Sequence, residues 1–231
     1  MNFENTNEPL RPRVVATGDL NVFNLLWSSA NSTAPTLRWG VTADNLNKVA
    51  PAKTTTIEKD SVCGSPSNTT GWFDLGLIHT APLVGMKALA GSQLYYSFGD
   101  LATDDFSSVH TLRIPPLPGI LTQADGTVRP TRAILYDDLG RGSNDTSYTW
   151  NEYGRPSLLT MQAVAADIAN GLVDVIYHGG DISYATGYLA VWDFFMDMIS
   201  PVASAVVYLT TVGNHETDWY NSASLYSNAD S

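Results

Sequence analysis

Three short stretches hold the side chains of this sequence that could do chemistry. Gly179-Gly180-Asp181-Ile182-Ser183-Tyr184 offers a carboxylate and, three residues on, a phenol. Asp137-Asp138-Leu139-Gly140 adds carboxylates, and Gly213-Asn214-His215-Glu216 adds an amide oxygen, an imidazole and an acid. Carboxylate and phenolate are hard oxygen donors, suited to a hard, highly charged cation such as ferric iron. The spacing of Asp181 and Tyr184 predicts that one helical turn brings both oxygens to one side. Taken singly, each stretch is also what an ordinary turn looks like: Gly-Asp follows many strands, and Asn often caps.

The elements that precede them change the reading. Val173 to Tyr177 is a short apolar run, broken only by Asp174, and it ends at the glycine pair. Ala133-Ile134-Leu135-Tyr136 runs into Asp138, and the β-branched run Val206 to Val212 runs into Asn214. All three read as strands. Between them, Pro156 to Asn170 has apolar residues at helical spacing, with proline in the first turn and Gly171 just past the end. A second helix is predicted over Val191 to Ile199, stopped by Pro201. The order β-α-β-α-β implies parallel strands, whose carboxyl ends share one edge of the sheet. Ligands of open α/β sheets bind at that edge.

These motifs resemble those of the purple acid phosphatases, in the calcineurin-like metallophosphoesterase superfamily. The family's first three motifs read Gly-Asp-x-Gly, Gly-Asp-x-x-Tyr and Gly-Asn-His-Asp/Glu. The resemblance extends to Cys63-Gly64-Ser65-Pro66, Gly71-Trp72, Ile78-His79-Thr80, Tyr95-Tyr96, Trp192-Asp193-x-Phe195 and His215-Glu216-x-Asp218-Trp219, as in the large plant-type members. It implies hydrolysis of phosphate monoesters by a metal-activated hydroxide at a binuclear centre of Fe(III) and a divalent ion (Zn, Mn or Fe). Asp138 and Tyr184 would then bind the ferric ion, Asp181 would bridge both metals, and Asn214 would bind the divalent one. His215 would be catalytic, facing the phosphate ester rather than the metals. A nucleotide or diphosphate esterase on the same fold, and a non-catalytic binding module, are the competing functions.

Two departures from the pattern matter. Asp137 stands where the family has glycine, adding a β-carbon and a charge beside the site. The family's later histidine motifs, Val-x-x-His and Gly-His-x-His, have no counterpart after Glu216. The chain is therefore expected to be the front half of such an enzyme, inactive alone and with an open sheet edge. His79 and His110 are expected to be structural, and His178 a satisfied buried histidine.

Ahead of this lies a different texture. Val22 to Trp27, Leu37 to Val41, Leu94 to Phe98 and His110 to Ile114 read as short strands between polar turns, and the last three alternate. They predict an all-β sandwich of the fibronectin III or immunoglobulin-like kind. The polar stretch from Pro51 to Asn68 is expected to be a surface loop, and residues 140–155 a loop at the site's rim. Pro115-Pro116-Leu117-Pro118-Gly119 is a semi-rigid break. The fold class is thus a sandwich over residues 1–117, followed by the first half of an α/β metallophosphoesterase domain over 118–231.

Composition argues against a nucleic-acid-binding protein. Net charge is −11, so no nucleic acid and no anionic membrane is a natural partner, and a bound cation pair would have to reverse the local sign. The single cysteine, Cys63, excludes an intrachain disulfide. No apolar run is long enough to span a membrane. The N-terminus shows no secretory signal, yet Asn31, Asn68 and Asn144 begin glycosylation sequons. The resemblance implies a secreted or vacuolar glycoprotein and a possible homodimer.

Overall fold

The computed structural model describes residues 5–62, 64–119, 122, 126, 128–141, 155–185 and 187–216. The first half comprises β1 (Leu10–Ala16), β2 (Val22–Ser29), β3 (Pro35–Gly40), β4 (Lys48–Pro51), β5 (Lys53–Thr55), β6 (Leu77–Val84), β7 (Gln93–Asp100), β8 (Asp105–Phe106) and β9 (His110–Arg113). The second comprises β10 (Ala133–Tyr136), α1 (Arg155–Ala169), β11 (Val175–His178), α2 (Leu189–Ala203) and β12 (Val207–Thr210). The expected order of strands and helices is present. Residues 114–117, around the expected boundary, have no regular structure.

The sheets nevertheless cross that boundary. One has the order β10-β11-β12-β1-β2-β6-β5; the other is β4-β3-β7-β8, with β9 also on β7. Strands β10, β11 and β12 are parallel, in the register Ile134↔Ile176↔Tyr208. On its far side β12 meets β1, with Val14 opposite Val207. Strand β1 was not foreseen, because Arg11, Pro12 and Arg13 interrupt any apolar pattern. Its register with β2 shifts between Leu10 and Arg13, and Arg11 has φ 56. That irregularity admits Pro12, which has no N–H to give to a ladder. The side of β12 away from β11 is therefore covered, and of these three parallel strands it is β10 that lies at an end of the sheet, with Leu135 exposed.

Alternation along the parallel strands divides their side chains between two cores. Val175 and Val207 join Trp27, Leu37, Tyr96 and Phe98 inside the sandwich. Ile176 and Tyr208 face the helices, with Phe195, Ile199 and Val202. Burial on both faces of β11 and β12 explains their near-continuous apolar runs.

Two local expectations are corrected. Residues 51–68 are not simply a loop: Lys53–Thr55 form the outermost strand of the larger sheet, against β6, and Lys59–Ser61 make a 3₁₀ turn. An edge strand needs only one partner, so polar, exposed threonines and lysine suffice. Helix α2 runs through Pro201 to Ala203. Proline costs a helix its bond to the fourth residue back, but in the last turn that loss is single and the exposed ring meets solvent. The Ser204 N–H still closes onto the Ser200 carbonyl at 3.0 Å.

Asp174, the one polar residue in its run, closes the boundary. It is fully buried and accepts from Arg113 Nε (2.6 Å), Arg129 Nη1 and Nη2 (2.6 and 2.8 Å) and the Arg132 backbone N–H (2.8 Å). Burial alone would raise its pKa; these donors outweigh burial and hold it at about 2, below the ordinary 3.8. A depressed carboxylate contributes stability above its unfolded pKa and loses it as pH falls through the folded one. At near-neutral pH, Asp174→Asn is expected to cost about 2 kcal/mol. In urea unfolding that gap should shrink as pH falls from about 4 toward 2; a gap independent of pH would assign the cost to packing alone.

Candidate functional site

Strands β10, β11 and β12 end side by side, and their carboxyl-end turns carry Asp138, Asp181 with Tyr184, and Asn214 with His215. The Tyr184 hydroxyl donates to Asp138 Oδ1 in a very short bond and lies 3.4 Å from Asp181 Oδ2. Asp181 Oδ1 accepts the His215 backbone N–H at 2.9 Å. The His215 and Tyr184 rings stand 4.5 Å apart, centroid to centroid. Tyr184 is buried, whereas Asp138 and Asn214 are exposed. Three oxygen-bearing side chains from two strand ends thus converge, with the third turn tied to them through its backbone.

The route to that convergence is not a helical turn. Asp138, Asp181 and Tyr184 adopt left-handed backbone, with φ of 56, 47 and 51. Non-glycine residues hold that conformation only when surroundings over-determine it, and such strain gathers at functional sites. Here the backbone locks are visible. Asp138 N–H donates to the Gly180 carbonyl at 3.2 Å, and Gly140 N–H to the Ile182 carbonyl at 3.0 Å. Gly180, with φ 118, lies so close to the third turn that a β-carbon would stand 2.7 Å from Gly213 Cα. Only glycine permits that approach.

Glu216, which the sequence presented merely as the last motif letter, binds the turns together. Its Oε2 accepts the N–H groups of Asp181 and Gly213, both at 2.8 Å, and its Oε1 that of Ile182 at 2.7 Å. One carboxylate thus serves three backbone donors from two turns. An acid directly after Asn-His was the only signal available, and it says nothing about which N–H groups it meets.

Asp137 does not need glycine's freedom, because it is not among the residues with positive φ. Its side chain lies over Gly179, where any β-carbon would collide with the carboxylate. His178 is buried and its Nδ1 lies 2.9 Å from the Tyr208 hydroxyl, which meets the Tyr136 hydroxyl at 2.7 Å. Its Nε2 has no hydrogen-bond partner among the described residues, so it is only half satisfied. Burial lowers its pKa below the usual histidine value, and raises Tyr136 to about 12. His79 is structural, held between Ser29 Oγ and Thr54 Oγ1 at 2.8 Å each, and His110 stacks on Tyr96. Of the sequon asparagines, Asn31 is exposed and Asn68 partly so. Asn144 and most of residues 140–155 lie outside the described residues. No described helix is long and apolar enough to cross a membrane.

Comparison with known proteins places this architecture. The chain is 34% identical over 235 residues to an Arabidopsis thaliana protein named "Probable inactive purple acid phosphatase 1", and 34% identical over 238 residues to another, "Probable inactive purple acid phosphatase 27". The structure of purple acid phosphatase PPD1 from yellow lupin seeds superimposes with a TM-score of 0.82 at 31% identity, covering 100% of this chain. The chain belongs to the purple acid phosphatase family. It spans 36% and 37% of the two Arabidopsis relatives' length and 39% of the lupin chain. A barley "Nucleotide pyrophosphatase/phosphodiesterase" is 33% identical over 146 residues. No protein-family model matches.

Removing the Glu216 carboxylate should loosen all three turns together. In Glu216→Ala the amides of Asp181, Ile182 and Gly213 are expected to exchange with deuterium at least about tenfold faster, each having lost a charge-assisted acceptor. Amides of β7 serve as the internal control. Acceleration at one turn only would show that the carboxylate does not couple them.

Proposed function

We propose that this purple acid phosphatase chain supplies the oxygen-donor half of a phosphoester-hydrolysing metal site. The observation that supports it is the junction of Tyr184, Asp138 and Asp181 at adjacent strand ends. The donor set fits the ions the family implies: two carboxylates and a phenol, all hard oxygens, reach one another across two turns. Asp138, Asp181 and Tyr184 would hold a ferric ion, and Asp181 and Asn214 a divalent Zn, Mn or Fe ion. Such an ion pair supplies Lewis-acid polarisation of the phosphate and a water made nucleophilic near neutral pH.

The chain's own residues would do the rest. Tyr184 is held against both carboxylates and must lose its proton to become a ligand. Asp181 fixes the His215 backbone while its other oxygen stays on the Tyr184 side. His215, with its ring over Tyr184, would stabilise the phosphate monoester or give a proton to the leaving oxygen. Glu216 keeps three backbone N–H groups occupied and so holds the turns in place. Secretion or vacuolar delivery, with sugars on Asn31, Asn68 and Asn144, goes with this reading.

A second reading has its own support. The Arabidopsis relatives are named as inactive, which favours a chain that binds but does not hydrolyse. The barley relative's name would instead move the substrate to nucleotide or diphosphate esters.

Loading the 231-residue chain with ferric and zinc ions separates these readings. The chain alone is expected to be colourless and to leave p-nitrophenyl phosphate intact. A version extended with the family's histidine motifs should hydrolyse it at acidic pH and show a tyrosinate-to-iron absorption that Tyr184→Phe removes. Hydrolysis by the chain alone would overturn the half-site reading. An extended chain that binds iron without turnover until Asp137→Gly is made would place the defect at that residue.

A further inference from the structure

A second feature shares no residue with the phosphoester site. On the sheet face opposite the sandwich core, helix α2 and the segment before β6 flank a half-open cavity of about 250 Å³. Its walls are apolar: Ile57, Leu75 and Ile78 on one side, Leu189, Trp192 and Met196 of α2 on the other. Neighbouring side chains of β1, Arg11 and Arg13, form the floor. They point there because Val14, the alternate residue, is committed to the sandwich core.

The two arginines are not equivalent. Arg11 is neutralised by Asp193: its Nη1 lies 3.0 Å from Oδ1, its Nη2 3.1 Å from Oδ2, and its Nε donates to the Asp193 carbonyl at 3.1 Å. Arg13 has no hydrogen bond or ion pair through its guanidinium among the described residues. Burial pulls its pKa down to about 10, which leaves it charged at neutral pH. Arg11, Arg13 and Asp193 are the charged residues of the lining, so the cavity carries one uncompensated positive charge. Arg13 is partly exposed, so its guanidinium is open to a partner from the cavity side. An anionic group arriving beside it would make a charge-assisted contact.

Size and charge together specify the occupant. An apolar cavity of ~150 Å³ holds a benzene ring, so this one has room for a ring with a short acidic arm. A single net charge calls for a monoanion, and Asp193 would repel a dianionic phosphate. We propose that the cavity between α2 and β1 binds a small amphiphilic carboxylate, an aryl ring among the apolar residues with its acid on Arg13. The site is independent of the phosphoester reading and stands or falls without it.

Phenylacetate, with phenylacetamide as its neutral counterpart, tests this by calorimetry on the 231-residue chain. The acid is expected to bind at least about tenfold more tightly than the amide, the margin of a charge-assisted contact. Arg13→Met, which keeps the stem and removes the charge, should erase that margin and leave the amide's affinity unchanged. Met196→Trp, which fills the cavity from the helix side, should abolish binding of both while circular dichroism stays native. Equal affinities for acid and amide, an acid unaffected by Arg13→Met, or no binding up to about 10 mM (a free energy under ~3 kcal/mol) would each overturn the proposal.

Discussion

The parallel pairing of β1 with β12 is the contact on which the architecture depends. It joins a sandwich strand to an α/β strand in one seven-stranded sheet, with Val14 opposite Val207. Without it, β12 would present unpaired N–H and C=O groups along one side, a liability in any sheet. With it, Val175 and Val207 complete the sandwich core while Ile176 and Tyr208, one residue on, complete the helical one. The Tyr96 hydroxyl on the Ser204 carbonyl at 2.6 Å and the Arg113 N–H on the Ala205 carbonyl at 2.8 Å extend the same seam. Two cores therefore share one sheet, and the strand ends that bear Asp138, Asp181 and Tyr184 are positioned by both.

That shared sheet accounts for how the site can hold unfavourable backbone. Three non-glycine residues in left-handed conformation cost on the order of 1–3 kcal/mol each. Strands β11 and β12 send side chains into both cores and cannot shift register without turning apolar side chains toward the wrong one. The turns above are tied to each other by Gly180, Gly213 and the Glu216 carboxylate. Three of the described non-glycine residues with positive φ thus stand together at these strand ends.

Arg11 and Arg13 show how one strand serves several ends. Arg11 takes the positive φ that admits Pro12, and its guanidinium clamps α2 through Asp193. Arg13 keeps its charge in a largely apolar wall.

Much of this protein was readable before any coordinates. The three parallel strands, the two helices between them, the sandwich ahead and the convergence of Asp138, Asp181 and Tyr184 all follow from patterns within about ten residues, where apolar runs, glycines and the motif letters lie together. What could not be read depends on partners far along the chain. Strand β1 looks polar in isolation and becomes central only through β2 and β12. Pro201 reads as a stop until the last turn of α2 is seen to tolerate it. Asp174 reads as an interruption until Arg113 and Arg129 meet it, 61 and 45 residues away. Glu216 reaches Asp181 across 35 residues. Short-range pattern reports which side chains a turn will carry, because burial and backbone preference act locally. Which left-handed conformations are held, which carboxylate clamps which amides and which arginine goes without a partner are settled only when distant segments pack.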